Sequence, residues 1–280
     1  MVRLGEGEYQ YEVVPSWPKL PKYWELGDCT NGAVNSQGEV HITSRGAHPL
    51  TIWDVNGNFI SSWGEGTFGD PHQVFIGPDD HVWITDDLEH VVTRYTPGGE
   101  ATMELGTRGR PRAAFVRKPF NMPAGVGLGP GGEVFVADGY GQYLVHKFSP
   151  EGELLLTWGR QGTGPGEFDT VHNIAVDQES RVYICDRSNN RIQVFDSEGQ
   201  YLTQWDIPGP NDLWIQDNIA YVAEGGQGVS LRTLDGEVIA RLGGDETIFK
   251  SGHGICVDPQ GSIYVTEIIR NQRVTKLQRV

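Results

Sequence analysis

Three stretches of this chain repeat one pattern: a histidine, a short apolar alternation, a turn, and an acid fourteen residues after the histidine. They read HQVFIGPDDHVWITD from His72 to Asp86, HNIAVDQESRVYICD from His172 to Asp186, and HGICVDPQGSIYVTE from His253 to Glu267. Identical internal spacing at three distant places means three copies of one structural unit, with histidine in the same seat each time.

Aligning the rest of the chain on that seat yields six units. In the first, Asn31 takes the seat and Arg45 stands fourteen residues on; in the third, Ala124 takes it and Asp138 follows at the same spacing. The fifth runs from Asp212 to Glu224 and lacks two residues in its turn. Each unit continues through two more strand-like runs joined by a glycine turn, as in RIQVFDSEG followed by QYLTQW, the pattern of a tight hairpin. With 38 glycines, 16 prolines and no stretch of helical apolar periodicity, the chain reads as all-β. Four strands per repeat of roughly forty to fifty residues make a propeller blade. The expectation is therefore one six-bladed β-propeller domain over residues 1–280. The sixth unit ends after three strands. The unassigned segment Tyr9–Val14 is expected to add the fourth, pairing near Val274–Arg279 and closing the ring, which removes open sheet edges.

Charge narrows the partners. A formal net charge of -15 argues against nucleic acid and anionic membranes, which demand clustered Lys and Arg. The opening MVRLGEGEYQYEVV has no apolar core of a signal peptide, and no apolar run approaches a membrane span. Cys29, Cys185 and Cys256 show neither zinc nor redox spacing, and the last two sit in apolar strand patterns as buried reduced thiols; a cytoplasmic location is expected. The segment Thr107–Pro123 carries four arginines and a lysine. It reads either as a solvated connection or as a basic rim that draws an anionic substrate to the channel mouth.

In a propeller the first strand of each blade lines the axis. Histidines in blades two, four and six then point at one spot with three-fold symmetry. Three imidazoles with a free fourth position form the arrangement of a catalytic zinc site, and iron, cobalt or nickel accept the same ligands. Residues just after the fourteenth position share that face, because first and second strands run antiparallel. Arg45, Tyr140 and Arg187 stand there and suggest carboxylate recognition and proton transfer. Asp86, Asp186 and Glu267 read either as acids that orient the metal-binding imidazoles or as turn formers, since Asp138 takes the same place in a blade without histidine. His41, His48, His81, His90 and His146 share no seat and read as structural or surface residues.

The stretch GTGPGEFDTVHNIAVDQESRVYICDRSNNRIQVFD resembles the NHL repeat. The combination of PHQV at His72, DGY ending at Tyr140, VHNIAV at His172, DR ending at Arg187 and GHGI at His253 resembles the catalytic core of peptidyl-α-hydroxyglycine α-amidating lyase, from about Arg45 to Leu277. The resemblance implies that His72, His172 and His253 hold a catalytic zinc. It implies that Tyr140, held as phenolate by a neighbouring arginine, takes the proton of the substrate hydroxyl, with Arg45 and Arg187 assisting. The implied reaction cleaves the carbon–nitrogen bond of an N-acyl α-hydroxyglycine, or a similar small α-hydroxy acid, into an amide and glyoxylate. The substrate would be a small molecule or short peptide bearing a carboxylate. Gly254 stands where the family has the aspartate of a structural calcium, which puts that calcium in doubt; Gly141 replaces a family cysteine. Two other functions fit such a propeller: a lactonase-type hydrolase on a carboxylate-rich calcium site, and a non-catalytic NHL binding scaffold.

Overall fold

The computed structural model describes residues 2–113, 116–225, 228–244, 248–269 and 271–280. Six antiparallel sheets follow one another along the chain. Their inner strands are Cys29–Val34, Pro71–Ile76, Gly125–Leu128, Val171–Val176, Pro210–Gln216 and Gly252–Val257, and each touches the next around a common axis, the last returning to the first. The fold is a six-bladed propeller, as the repeat spacing requires.

Closure is made by the N-terminal segment. Strand Tyr11–Val14 pairs antiparallel with Val274–Arg279, Tyr11 opposite Arg279 and Val14 opposite Lys276. Tyr11 and Leu277 are fully buried in the cluster between blades five and six. Burying one such side chain contributes about 1.5–3 kcal/mol, so the ring is closed by packing as well as by ladder hydrogen bonds.

The alternation of each strand explains how the blades stack. Six apolar clusters fill the six junctions between neighbouring blades. Phe135, Val171 and Ile184, for example, join blades three and four, while Trp53, Cys256 and Tyr264 join one and six. The shortened turn of blade five is a two-residue hairpin loop, Asp217-Asn218, both with positive φ of 51° and 60°, the conformation that matches strand twist in a tight turn. Strand directions alternate within a blade. One face of the ring, the mouth, therefore collects the starts of inner strands, the ends of second strands and the connections between blades.

Candidate metal centre

Five of the six inner strands, all but that of blade three, open at the mouth with a bulge. In blade four Val171 pairs with Asp186 and Asn173 with Cys185, leaving His172 without a partner across the ladder. The same displacement isolates His72 between Pro71 and Gln73, and His253 between Gly252 and Gly254. A bulged residue is released from the ladder and its side chain is re-aimed. The three rings meet with centroids 4.8–5.0 Å apart and planes 74–77° apart. Their ligand-capable nitrogens lie within 4.8 Å of one another, and none of the three residues is more than 3% exposed.

Two of the other seats fall one residue earlier than the sequence alignment expects. In blade one Cys29 pairs with Ser44 and Asn31 with Thr43, so the bulged seat belongs to Thr30, not Asn31. In blade five Pro210 pairs with Glu224 and Asp212 with Ala223, so it belongs to Asn211, not Asp212. The polar side chains of Asn31 and Asp212 mimic a functional seat, but ladder register decides the position. Ala124 holds the seat of blade three, its N–H bonded to the Ala137 carbonyl at 2.8 Å. With this register Arg45 and Arg187 each stand fifteen residues after their seats, so the two arginines are structural equivalents.

These three seats serve the histidines through their backbone. His72 Nδ1 donates to the Ala124 carbonyl, His172 Nδ1 to Asn211 and His253 Nδ1 to Thr30, each at 2.6 Å. With the proton fixed on Nδ1, every Nε2 carries a lone pair. Burial keeps the rings neutral, aided by the other imidazoles and the arginines. It holds His72 and His172 well below the ordinary histidine range and His253 down at about 4. His172 Nε2 is buried without a hydrogen-bond partner, an orphan that a metal ion would satisfy. Three neutral, pre-oriented imidazoles fit a divalent transition metal.

The acids at the fourteenth position do not orient these rings. Asp86 accepts the N–H of Gly69 at 2.7 Å, Asp138 that of Asn121 at 2.9 Å, Asp186 that of Asp169 at 2.9 Å and Glu267 that of Lys250 at 2.8 Å. Each donor lies three residues before its seat. The acid pins the connection entering the blade, with or without a histidine, and the turn-forming reading is the correct one.

Above the histidines, Tyr140 donates its hydroxyl to His72 Nε2 at 2.9 Å, lying against the lone pair that a metal would take. The Arg187 guanidinium sits 5.6 Å from the Tyr140 ring centroid. Burial raises the phenol above its ordinary 10, against the downward pull of Arg187 and Arg45. The expected phenolate is thus not favoured by the arginines alone. Arg45 is partly exposed and pairs with Asp70. The sequence reading passed over Asp87, fifteen residues after His72 and so at the ring position of Arg45 and Arg187. It is 4% exposed, and burial pushes its carboxyl up to about 7.

Below the histidines a polar belt crosses the channel, made by the residues after the seats. Asn31 and Asn173 donate to Asp212, the former at 2.8 Å, and Gln73 donates to Asn173 at 2.9 Å. A Cβ on Gly254 would stand 2.7 Å from the Asn31 Cα and 2.6 Å from Thr266 Oγ1. No carboxylate fits after the third histidine, and the nearby Asp212 is engaged by amide donors. These residues do not fit a structural calcium.

A sequence family described as "6-bladed beta-propeller" matches residues 130–216. NHL repeat-containing protein 3 of Homo sapiens is 31% identical over 208 residues, covering 70% of this chain and 59% of that protein. Peptidyl-alpha-hydroxyglycine alpha-amidating lyase 1 of Drosophila melanogaster is 27% identical over 256 residues, covering 78% of this chain and 46% of that protein. The chain thus spans about half to three fifths of these relatives. Among solved structures, a streptogramin B lyase superposes with a TM-score of 0.66 at 16% identity, covering 96% of this chain and 87% of that one; at that identity the likeness concerns the fold. The chain is a six-bladed β-propeller with a three-histidine centre on its axis. Its sequence is similar to NHL-repeat proteins and to the peptidyl-α-hydroxyglycine α-amidating lyases.

Proposed function

We propose that this chain is a metal-dependent lyase, zinc being the first candidate, that splits the carbon–nitrogen bond of an N-acyl α-hydroxyglycine or a similar small α-hydroxy acid, releasing an amide and glyoxylate. The observation that carries the reading is the convergence of three neutral, buried imidazoles beneath a tyrosine hydroxyl 2.9 Å from one of them. Sequence similarity to amidating lyases supports the reaction class. A divalent cation held by His72, His172 and His253 would supply Lewis-acid polarisation of the substrate hydroxyl and a positive charge favouring phenolate at Tyr140.

The chain's own residues do the rest. Tyr140 takes the hydroxyl proton, and Arg187, against its ring, stabilises the charge that Tyr140 carries before doing so. Arg45, tethered by Asp70, is placed at the rim to receive the substrate carboxylate. The basic connection at residues 107–123, two of which (114 and 115) lie outside the described residues, adds positive charge at the same face. A lactonase-type site would present oxygen ligands to the axis, where this chain presents imidazoles. A binding scaffold would tolerate alanine at all three histidines. Among the described residues no helix is long and apolar enough to cross a membrane. Cys29, Cys185 and Cys256 are buried and unpaired, which supports a reducing, cytoplasmic setting. The test is metal analysis of purified protein followed by glyoxylate release from an N-acyl α-hydroxyglycine; metal-loaded protein that releases none would remove the lyase reading.

A further inference from the structure

Breaking the carbon–nitrogen bond requires two proton transfers, and the residues assigned so far account for one. Tyr140 removes a proton from oxygen; the departing nitrogen must gain one. The acids at the mouth are mostly engaged. Asp70 holds Arg45. Asp86 accepts from Gly69, Asp70 and Glu89. Asp186 accepts from Asp169, Asn189 and Arg191.

Asp87 is different. It follows the second strand of blade two, Val82–Asp86, at the ring position that Arg45 and Arg187 occupy in their blades. Its backbone N–H donates to the Asp70 carbonyl at 3.2 Å, which fixes it beside the Asp70–Arg45 pair. The residue is 4% exposed, and its Oδ1 is buried with no hydrogen-bond partner. A buried carboxyl oxygen left unpaired is costly, and such groups concentrate at functional sites. The charged groups around it are Asp70 in the connection entering its own blade, Arg45 of blade one and Asp86 on its own strand, with Tyr140 of blade three near enough that a charge on Asp87 would raise its phenol. Burial, then Asp70, moves the Asp87 carboxyl up to about 7 against the pull of Arg45, so near neutrality a large share of it carries a proton to give.

We propose that Asp87 is the general acid that protonates the departing amide nitrogen. The inference rests on the lyase reading. In the step, the hydroxyl O–H pair becomes the second bond of the aldehyde carbonyl and the proton passes to Tyr140. The carbon–nitrogen pair leaves with nitrogen, which takes the Asp87 proton. Asp87 is left as a carboxylate near Arg45, and return of one proton from Tyr140 to Asp87, through solvent, restores the starting state. Nothing is oxidised or reduced.

The test uses the metal-loaded full chain and two N-acyl α-hydroxyglycines, one releasing an ordinary aliphatic amide and one an electron-poor aromatic amide, a better leaving group. Asp87→Asn is expected to keep its metal, hold KM within a few-fold, and lose about a hundredfold in kcat on the first substrate. The loss should shrink to about tenfold or less on the second, whose nitrogen needs less help from an acid. Asp87→Glu, which restores a carboxyl, should recover part of the loss and also carries the test should the Asn variant fold poorly. Wild-type kcat in Asp87→Asn, an equal loss on both substrates, a loss of metal, or a Glu variant no better than Asn would each overturn the assignment. A wild-type protein that releases no glyoxylate from either substrate removes the lyase reading itself, and Asp87's role with it.

Discussion

Blades two, four and six and blades one, three and five meet the axis with the same seat and use it in opposite ways. The even blades present imidazoles through side chains at His72, His172 and His253. The odd blades present carbonyl oxygens from Thr30, Ala124 and Asn211, each 2.6 Å from a histidine Nδ1. Half of the centre is therefore written in side chains and half in backbone. The difference teaches which substitutions matter: at an even seat the side chain supplies the ring nitrogen, while at an odd seat any residue that keeps the local backbone path supplies the oxygen.

The largest expected effect breaks an even seat. His253→Ala leaves two ligands, and glyoxylate release should fall by about a thousandfold or more, as expected when a Lewis acid is lost. The circular dichroism spectrum should stay near wild type, because the junction clusters do not include this residue. Next is Tyr140→Phe, which removes one oxygen while keeping the ring under Arg187. Steady-state kinetics should show kcat down by about a hundredfold with metal content unchanged, and a fully active variant would remove the phenol from the mechanism. The odd seats sharpen the contrast. Thr30→Ala keeps the carbonyl but loses hydroxyl bonds to the Pro71 carbonyl and Thr43 at 2.9 and 3.0 Å. Denaturant unfolding should show a cost of about 1–2 kcal/mol with metal content and turnover near wild type.

The effect furthest from activity, confined to stability and its pH dependence, concerns a histidine of an odd blade away from the seat. His41 is 3% exposed, both its ring nitrogens lack partners, and burial lowers it to about 4. Its folded value lies below the unfolded value of about 6.5. Between those values the unfolded chain binds more protons, so stability falls as pH drops from 6.5 towards 4. His41→Gln should flatten that slope by an amount on the order of 3 kcal/mol, read from unfolding midpoints across the range, without touching the metal.

The same contrast marks what could be read in the sequence. The histidine seats were legible because a rare side chain recurred at fixed spacing, and ring closure by Tyr11–Val14 was legible because the last repeat lacked a strand. The carbonyl seats were not, since a backbone oxygen leaves no trace in residue identity. Asn31 and Asp212 drew the alignment one residue late because they are polar and face the axis, where they build the belt beneath the three histidines. Asp87 drew no reading of its own, standing directly after Asp86 at the end of a strand. Its spacing already matches that of Arg187, fifteen residues after a histidine; the blade-one register adds Arg45 to the same ring position, and the hydrogen bonds separate it from Asp86, whose oxygens cap the blade entry. The loss of regular turn spacing in blade five had a local cause, the Asp217-Asn218 hairpin loop.

Metal stoichiometry across the seats tests the central claim most directly. Purified wild-type protein and the His72→Ala, His172→Ala, His253→Ala and Thr30→Ala variants would be analysed for transition metals after equilibration with one zinc equivalent and removal of loosely held ions. The account predicts about one metal per chain in wild type and Thr30→Ala, and a sharp loss in each of the three histidine variants. Equal metal content in all five proteins, or none in wild type, would contradict it.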